Sequence, residues 1–341
     1  MRAFLVLVTL LLTACQDKQP PTYQEQGFVF GTLVEVSIYG ESDDRAKQGV
    51  AAVMQEFQRL HDMLHAWQPS ELSELNTAIT KGQSLAVSAE LVEILNDATQ
   101  LSEQSKHLFN PAIGGLIQLW GFQSDEFRSA QPEEKEVKQW VKQNPKMSDL
   151  KIVRGRVESS NESVKLDLGG YAKGYALDRA ADLLHKQGIQ NALINIGGNI
   201  LAMGKHGKRP WRVGIQHPRK SGALAAMDLH DGEAIGTSGD YQRYFMVGNV
   251  RYCHLIDPGS GYPVHGVQAV TVLTRGPRAG VMSDVLSKPL FISGTKGWRA
   301  KADAMALQEA MLVDAHGKVH ITTALNKRLE FADKHLRPEV K

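Results

Sequence analysis

The sequence predicts an α+β fold, a mixed body with N-terminal helices and a β-rich second half. Before about residue 150, apolar residues recur mainly at helical spacing, whereas after it short β-rich runs alternate with turns of Gly, Asn, Asp and Pro. Helical stretches fall between these runs without a regular alternation. The pattern therefore favours a mixed body over a regular series of βαβ units.

The first half contains one expected strand and three expected helices. Residues of high β propensity over Phe28–Tyr39 predict a strand that Gly31 interrupts. Apolar residues at helical spacing predict a helix from Ser42 or Asp43 to about Trp67. Two further helices, the second flanked by prolines, are expected over Ala89–Gln104 and Glu133–Val141.

The second half combines short strands with two helices. Strands are expected over Val164–Leu168, Ala192–Ile196, Trp211–Ile215, Arg243–Val247, Tyr252–Ile256 and Val267–Leu273. Helices are expected over Tyr171–Lys186 and Gly280–Leu286. Since no long linker divides this part of the chain, we expect one body over residues 27–341.

Composition and charge exclude two classes of protein. Of the 341 residues, 42% are hydrophobic and 22% are charged, so the chain can bury a core and is not intrinsically disordered. The 39 Lys and Arg residues are nearly balanced by 37 Asp and Glu residues, which leaves a net charge of +2. Because the basic residues are scattered among acidic ones, we expect no nucleic-acid partner.

The N-terminus has the pattern of a bacterial lipoprotein signal. Arg2 precedes a short apolar run, Phe4–Leu12, and Ala14 provides the small residue before Cys15. The run is too short to span a bilayer. We expect residues 1–14 to be removed, Cys15 to carry a lipid, and residues 15–26 to form a polar tether. The body would then be held on the periplasmic side of a bacterial membrane, and Cys253 would be its only thiol, which excludes an intrachain disulfide.

The segment Lys165–Asp178 carries the densest chemical pattern. Asp167 and two glycines, Gly169 and Gly170, end an expected strand, and Lys173 lies in the first turn of the helix that follows. Glycines allow backbone N–H groups to approach phosphate oxygens, and a helix N-terminus with a lysine adds positive charge. The spacing matches neither G-x-G-x-x-G nor the P-loop pattern. A site for a phosphate-bearing ligand and an ordinary strand-to-helix turn both fit the segment.

This segment and five other blocks resemble motifs of the ApbE family, the FAD:protein FMN transferases. The blocks occur in the family's order, and together they extend from residue 27 to about residue 294. One of them resembles the F-D-P-T-V-G-P-L-x-x-L-W-G-F motif and another the pair T-S-G-x-Y-x-R-Y and Y-S-H-I-I-D-P-x-T-G-x-P. The five blocks are Phe30–Thr32, Trp67–Asn76, Leu108–Phe122, Ala192–Gly198 and Ile235–Tyr244 with Tyr252–Pro263.

The resemblance implies both a reaction and its partners. Members of the family bind FAD with Mg²⁺, cleave its pyrophosphate and release AMP. They join FMN through a phosphoester to a Thr or Ser of an acceptor, typically an exported or membrane-bound redox protein. A lipid-anchored enzyme facing the periplasm suits such acceptors. The reaction requires a cation, backbone donors and a base near the attacking hydroxyl.

By position in these motifs, the resemblance also implies site residues of three kinds. His254 matches the candidate catalytic base, although a lone histidine on a strand can also be structural. The Gly170 carbonyl and Asp284 match metal ligands. Several of the apolar positions matching FAD contacts would fit a hydrophobic core equally well. The residues matching FAD contacts are Phe30, Trp67, Leu108, Phe109, Asn110, Asp167, Lys173 and Ile256.

The chain departs from the family motifs near the expected metal site. Lys288 takes the position of a metal-holding Thr, and a protonated lysine has no lone pair for Mg²⁺. Asn110 replaces an Asp, and Val281 offers no carboxylate one turn before Asp284. We expect the Lys288 ammonium to substitute in part for a cation beside the pyrophosphate. The alternative is that Lys288 points into solvent.

Two other functions fit parts of the sequence. His61 and His65 have the i, i+4 spacing of zinc-binding histidines, with Asp62 beside the first, but no third ligand is evident for a zinc hydrolase. The second alternative is a lipoprotein of the same fold that binds FAD without transferring FMN, because its metal segment is altered. FAD retention without AMP release would distinguish that protein from an enzyme.

Overall fold

The computed structural model describes residues 22–124 and 130–341. The expected signal peptide, residues 1–14, and the expected lipidation site, Cys15, lie outside the described residues. The expected tether, residues 15–26, is covered only in part. Thr22–Gln26 belong to the first strand and pair with Glu35–Tyr39, so the boundary expected at residue 27 is too late.

The helices begin and end as follows. They are α1 (Asp43–Leu64), α2 (Glu71–Thr80), α3 (Ala89–Gln104), α4 (Gly114–Leu119), α5 (Glu134–Gln143), α6 (Ala172–Lys186), α7 (Ala279–Ala304) and α8 (Thr323–Asn326), with a 3₁₀ turn at Met147–Asp149. In the two described ranges, no helix is both long and apolar enough to cross a lipid bilayer.

The strands are short and most of them follow residue 150. They are β1 (Thr22–Val29), β2 (Thr32–Tyr39), β3 (Leu85–Ala86), β4 (Leu150–Val153), β5 (Arg156–Ser159), β6 (Ala192–Ile196), β7 (Asn199–Met203), β8 (Trp211–Gln216), β9 (Ala223–Leu229), β10 (Glu233–Gly239), β11 (Tyr244–Val247), β12 (Val250–Cys253), β13 (Val267–Arg275), β14 (Ala310–Asp314), β15 (Val319–Ile321), β16 (Glu330–Phe331) and β17 (Glu339–Val340).

One large sheet connects the two halves of the chain. Among the described residues it has nine strands in the order β1-β2-β6-β7-β10-β13-β14-β15-β17. All neighbours are antiparallel except β15 and β17. The N-terminal hairpin enters through β2, where Val34–Ile38 pair with Ala192–Ile196 of β6. Because the described residues combine helices with mainly antiparallel strands, the predicted α+β class is confirmed.

Helices cover one face of the large sheet and a small sheet covers the other. On β7, Leu201 packs with apolar residues of α1 and α6, whereas Ile200 and Ala202 pack with β8 and β9. Successive residues of a strand point to opposite faces, so these two groups lie on opposite sides. The strands β16-β9-β8 form the covering sheet.

Helices α6 and α7 approach each other through a pair of glycines. A Cβ atom on Gly174 would lie 2.4 Å from the carbonyl oxygen of Gly280, and one on Gly280 would lie 2.4 Å from that of Gly174. The carboxylate of Asp178 in α6 accepts the backbone N–H groups of Gly280 and Val281 at 2.8 and 2.9 Å and so caps α7. These contacts fix the first turns of α6 and α7 side by side.

Two predicted elements are confirmed at their stated bounds. The helix at Ala89–Gln104 and the strand at Ala192–Ile196 match to the residue. The single strand expected over Phe28–Tyr39 is wrong, because this stretch contains the end of β1, a turn and the whole of β2, which form a hairpin. Its turn is Phe30–Gly31, whose positive φ angles of 56° and 67° are typical of a two-residue turn between twisted strands.

Other predicted elements are wrong in type or length. Val164–Leu168 is not a strand, because it has only one bridge, between Lys165 and Ile113, before the facing segment enters α4. The helix expected at Gly280–Leu286 continues through Pro289 to Ala304, with non-helical backbone at Gly294. The strand expected to reach Ile256 ends at Cys253.

Candidate active site

The candidate site lies where the chain enters α6, close to α7 and to the end of β12. Asp167 stabilises the turn before α6, because its Oδ1 accepts the backbone N–H of Gly169 at 2.9 Å. Its Oδ2 accepts the side-chain amide of Gln123 at 2.8 Å. The turn therefore places Gly169 and Gly170 immediately before the N-terminus of α6, where the N–H groups of Tyr171 and Ala172 both donate to the carbonyl oxygen of Leu168.

Asp284 and Lys288 form a buried ion pair on α7. The ammonium of Lys288 contacts Oδ1 of Asp284 and also donates to the Asp284 carbonyl oxygen at 2.7 Å. The other carboxylate oxygen, Oδ2, accepts the backbone N–H of Gly174 at 3.0 Å. Burial alone would raise the pKa of Asp284, but the charges of Lys288 and Lys173 outweigh it and hold that pKa below its usual range.

The site has an excess of positive charge. Lys173 lies in the first turn of α6 and is partly buried, and none of the described residues forms an ion pair with it. Burial and the nearby charge of Lys173 both lower the pKa of Lys288, although its pair with Asp284 opposes the shift. Two ammonium groups beside a single carboxylate leave one positive charge in excess, which suits an anionic ligand such as a phosphate.

His254 follows β12 directly and is held in one tautomer. Its Nδ1 lies 3.2 Å from the carbonyl oxygen of Arg243, and because a carbonyl only accepts, Nδ1 carries the proton. Nε2 then has a free lone pair. Burial, together with the charges of Lys173 and Arg243, lowers the pKa of His254 to about 3. The imidazole is therefore neutral near pH 7, and its Nε2 lone pair can accept a hydrogen bond from a hydroxyl group.

Cys253, the neighbour of His254, takes no chemical role in this arrangement. Its side chain is fully buried at the end of β12. Burial raises the pKa of the Cys253 thiol to about 12, so the thiolate is not formed near neutral pH.

Aromatic and histidine rings form a continuous group between the β1–β2 turn and the end of α1. The ring centroids are 5.7 Å apart for Phe30 and His61, 5.0 Å for His61 and His65, and 4.4 Å for His65 and Trp67. The guanidinium carbon of Arg243 lies 5.9 Å from the centre of the Trp67 ring. Two predicted flavin contacts, Phe30 and Trp67, are thus joined through one ring group, and Arg243 connects that group to His254.

The histidine pair does not form a zinc site. Helix α1 ends at Leu64, so His65 lies beyond the helix that carries His61. Nδ1 of His65 accepts the backbone N–H of Gln68 at 3.0 Å. No group of three or more His, Cys, Asp or Glu side chains is placed to hold a metal ion within residues 22–124 and 130–341. The zinc-hydrolase alternative therefore has no support in the structure.

The segment Leu108–Asn110 lies next to the turn at Gly170. Phe109 is buried, and its Cε2 would lie 3.6 Å from a Cβ atom on Gly170. The amide of Asn110 donates to the carbonyl oxygen of Pro145 at 2.9 Å, and its oxygen accepts the N–H of Ala112 at 3.1 Å. Asn110 therefore holds this loop in place. Leu108 and Asn110 also line a cavity of about 250 Å³.

Ile256 has its side chain in the core. It is 4% exposed and belongs to an apolar cluster with Ile113 and Phe122. Its contact with flavin stays a prediction, as do those of Leu108 and Asn110.

The residues expected to bind Mg²⁺ do not fit that ion. The Cε atom of Lys288 would lie 3.1 Å from a Cβ atom on Gly170, so the lysine lies between Gly170 and Asp284, the two other expected ligands. Both oxygens of Asp284 already have partners. Mg²⁺ requires oxygen ligands in octahedral geometry, and an ammonium supplies none.

Gln123 is a site residue that the sequence motifs did not indicate. Its amide N–H donates to Asp167, while its Oε1 is buried and has no hydrogen-bond partner among the described residues. A buried carbonyl oxygen without a donor is unfavourable. Gln123 directly follows the Leu108–Phe122 block, and no family motif position pointed to it.

Sequence relatives of the chain carry one common name. The chain matches the model described as "ApbE family" over residues 30–312. It is 39% identical over 310 residues to a Rhodobacter capsulatus protein named FAD:protein FMN transferase, a match that covers 91% of this chain and 59% of the relative. A Treponema pallidum protein of the same name is 31% identical over 298 residues, covering 80% of this chain and 79% of the relative. The chain thus spans less than two thirds of the length of the Rhodobacter capsulatus relative.

Solved structures share the fold over nearly their whole length. The ApbE protein of Thermotoga maritima superposes with a TM-score of 0.83 at 28% identity, covering 90% of this chain and 99% of that chain. The flavinyl transferase ApbE of Pseudomonas stutzeri gives a TM-score of 0.79 at 27% identity, covering 92% and 98%.

Proposed function

The chain belongs to the ApbE family, and we propose that it is a FAD:protein FMN transferase, which moves FMN from FAD to a hydroxyl group of an acceptor protein. The family match over residues 30–312 and the relatives of that name support the reaction class. The observation that carries the proposal to this site is the placement of a neutral His254 beside two ammonium groups, Lys173 and Lys288.

The proposed reaction exchanges one P–O bond for another. A Thr or Ser hydroxyl oxygen of the acceptor bonds to the phosphorus of the FMN half of FAD, and the bond from that phosphorus to the bridging oxygen breaks. AMP leaves with the bridging oxygen. The hydroxyl proton passes to Nε2 of His254, which is free to accept it because Nδ1 donates to Arg243. His254 then returns the proton to AMP or to solvent.

The charges of the site suit this reaction. A pyrophosphate carries two negative charges, and negative charge grows on the leaving phosphate as the P–O bond breaks. Lys173 and Lys288 supply fixed positive charge, while the turn at Gly169 and Gly170 brings the N-terminus of α6 to the same place. Mg²⁺ takes no step here, because the residues at its expected position do not fit it.

The acceptor and the location are further parts of the proposal. A lipid on Cys15 would hold the enzyme at the periplasmic side of a membrane, and the sequence pattern before Cys15 supports this anchor. Exported or membrane-bound redox proteins with a Thr or Ser flavinylation site would be accessible from there.

The test combines covalent labelling with a product assay. The full-length chain in detergent is incubated with FAD and an acceptor domain that bears the Thr. We expect a fluorescent flavin band on the acceptor in a denaturing gel, and one AMP for each labelled acceptor. His254→Asn should remove the band, whereas His316→Asn, at an exposed histidine, should not.

Failure of the labelling would favour the non-transferring alternative. The engagement of Asp284 by Lys288 is the observation that keeps this alternative open. Stoichiometric retention of FAD without AMP and without a labelled acceptor, repeated with several Thr-bearing acceptors, would refute the transferase and establish a flavin-binding protein.

A further inference from the structure

We propose that the Lys288 ammonium takes the place of a divalent cation beside the pyrophosphate of FAD, so that FAD binding and FMN transfer by this chain are independent of divalent metal. The inference rests on the proposed function and adds to it the identity of the cation. It comes from the disagreement between the metal site that the family resemblance implies and the side chains present.

Lys288 lies in the position expected for the metal. Its side chain lies against Gly170 on one side and pairs with Asp284 on the other, which is the space between two expected metal ligands. The side chain is 13% exposed and that of Asp284 is 0% exposed, so the ammonium is at the inner end of the site but not sealed from it. Lys288 therefore does not point into solvent.

Lys288 uses only some of its hydrogen-bond donors on Asp284. An ammonium has three N–H donors. The described residues give it two acceptors, both on Asp284: one carboxylate oxygen and the backbone carbonyl oxygen. A third donor is available for a phosphate oxygen of FAD, with the length and strength of a charge-assisted hydrogen bond.

The described residues place no further acidic ligand beside Asp284. One turn before Asp284 on α7 the residue is Val281, which is 1% exposed and packs in the core. In the described ranges no other acidic group joins Asp284 to form a cluster that could hold a metal. Asp284 thus has the function of holding one ammonium in place, and Lys288 and Lys173 together leave one positive charge in excess of Asp284 for the pyrophosphate.

The role of Lys288 in the reaction involves no proton transfer. The ammonium keeps all three protons and donates one hydrogen bond to a pyrophosphate oxygen before and after the P–O bond breaks. The leaving phosphate gains charge at that moment, so the hydrogen bond strengthens in the transition state. The hydroxyl proton still goes to His254, and FMN-acceptor and AMP are the products.

The direct test uses the unmodified full-length chain. FAD affinity is measured by flavin fluorescence in EDTA and in excess Mg²⁺, and acceptor labelling is measured under the same conditions. We expect less than a twofold difference between the conditions for both quantities. Loss of FAD affinity in EDTA that Mg²⁺ restores would overturn the inference. If no acceptor is labelled under any condition, the proposed function fails, yet the FAD affinity in EDTA still decides the inference about the cation.

Variants of Lys288 provide an independent test. In Lys288→Thr, Mn²⁺ should bind at Asp284 and be detectable by electron paramagnetic resonance, and FAD affinity should become metal-dependent. The unmodified chain should bind no Mn²⁺. Mn²⁺ binding by the unmodified chain that Lys288→Thr does not increase would contradict the assignment of Lys288 to the cation position.

Without a bound metal, Lys288→Thr leaves Asp284 buried without its partner, and this can prevent folding. A double variant, Asp284→Asn with Lys288→Met, removes both charges and keeps the volumes similar. We expect it to fold, to bind FAD at least about tenfold more weakly, and to gain nothing from Mg²⁺. Lys296→Met, at an exposed lysine of α7, is the matched control and should bind FAD normally. Unchanged FAD affinity in the double variant would overturn the inference.

Discussion

Substitution of Gly174 by alanine tests the contact between α6 and α7 on which the site depends. A Cβ atom at residue 174 would lie 2.4 Å from the carbonyl oxygen of Gly280 and 2.8 Å from the Cβ atom of Asp284. Because the first of these is a backbone atom, no side-chain rotation can relieve it. Nor can α7 move freely towards the sheet, since a Cβ on Gly236 of β10 would lie only 2.3 Å from the carbonyl oxygen of Ser283.

The expected change in the free energy of unfolding of Gly174→Ala follows from two opposing effects. Overpacking in a core that cannot relax costs about 3 kcal/mol, at the upper end of the usual range. Alanine in place of glycine within a helix returns about 0.5–1 kcal/mol. The net loss is therefore about 2 kcal/mol, which corresponds to a fall in Tm of about 3 °C for a domain of this size. Since the displaced atoms include the Gly174 N–H that binds Asp284, FAD affinity should fall as well.

Calorimetry and FAD titration of Gly174→Ala measure both effects, and Gly214→Ala is the control. A Cβ on Gly214 of β8 would meet only the Cβ of Ala223, at 3.5 Å, which is ordinary contact. We expect the control to melt within about 1 °C of the unmodified chain. If Gly174→Ala melts with the control and binds FAD normally, the packing argument for the glycine pair is refuted.

Three further predictions concern single residues. His254→Asn should lower kcat at least about 100-fold. Because the pKa of His254 is lowered to about 3, kcat/KM of the unmodified chain should show no inflection near pH 6.5. An inflection at that pH that His254→Asn abolishes would contradict the low pKa. Trp67→Ala should weaken FAD binding about tenfold in a fluorescence titration, since a partly exposed aromatic ring is lost from the ring group. Unchanged affinity would place the flavin elsewhere. Burial raises the pKa of Asp178 to about 6, above its value in the unfolded chain, so the contribution of Asp178 to the free energy of unfolding decreases as pH rises from about 4 to 6. Asp178→Asn should lack this decrease when its unfolding is measured in urea. An identical pH dependence in both proteins would contradict the raised pKa.

The sequence predicted those elements whose local signals agree with their tertiary environment. Helix α3 begins after Ser88, whose hydroxyl accepts the N–H of Leu91, and its apolar face is buried along its whole length, so cap and periodicity indicate the same bounds. In Val164–Leu168, every second residue is buried, as in a strand. The β-rich composition of the run could not indicate that the facing segment turns into α4 after a single bridge.

For the site, the sequence predicted which helix or turn carries each residue, but not which residues contact one another. The i, i+4 spacing of Asp284 and Lys288 is visible in the sequence, and their ion pair follows from it once the helix is known. The contact of Lys288 with Gly170 depends on how α6 and α7 pack, which no local pattern encodes. The Gln123–Asp167 bond also joins distant segments, and a glutamine after an aromatic block carries no distinctive signal.

The buried thiol of Cys253 gives the chain an internal probe of local opening. Its side chain has no exposed surface, and its neighbour in sequence is His254. A thiol-specific reagent can therefore modify Cys253 only in molecules where the end of β12 has separated from the core, and the rate of modification measures the free energy of that opening. A bound ligand that closes the site around His254 would slow the modification, so protection of a single sulfur atom would report occupancy without any flavin signal.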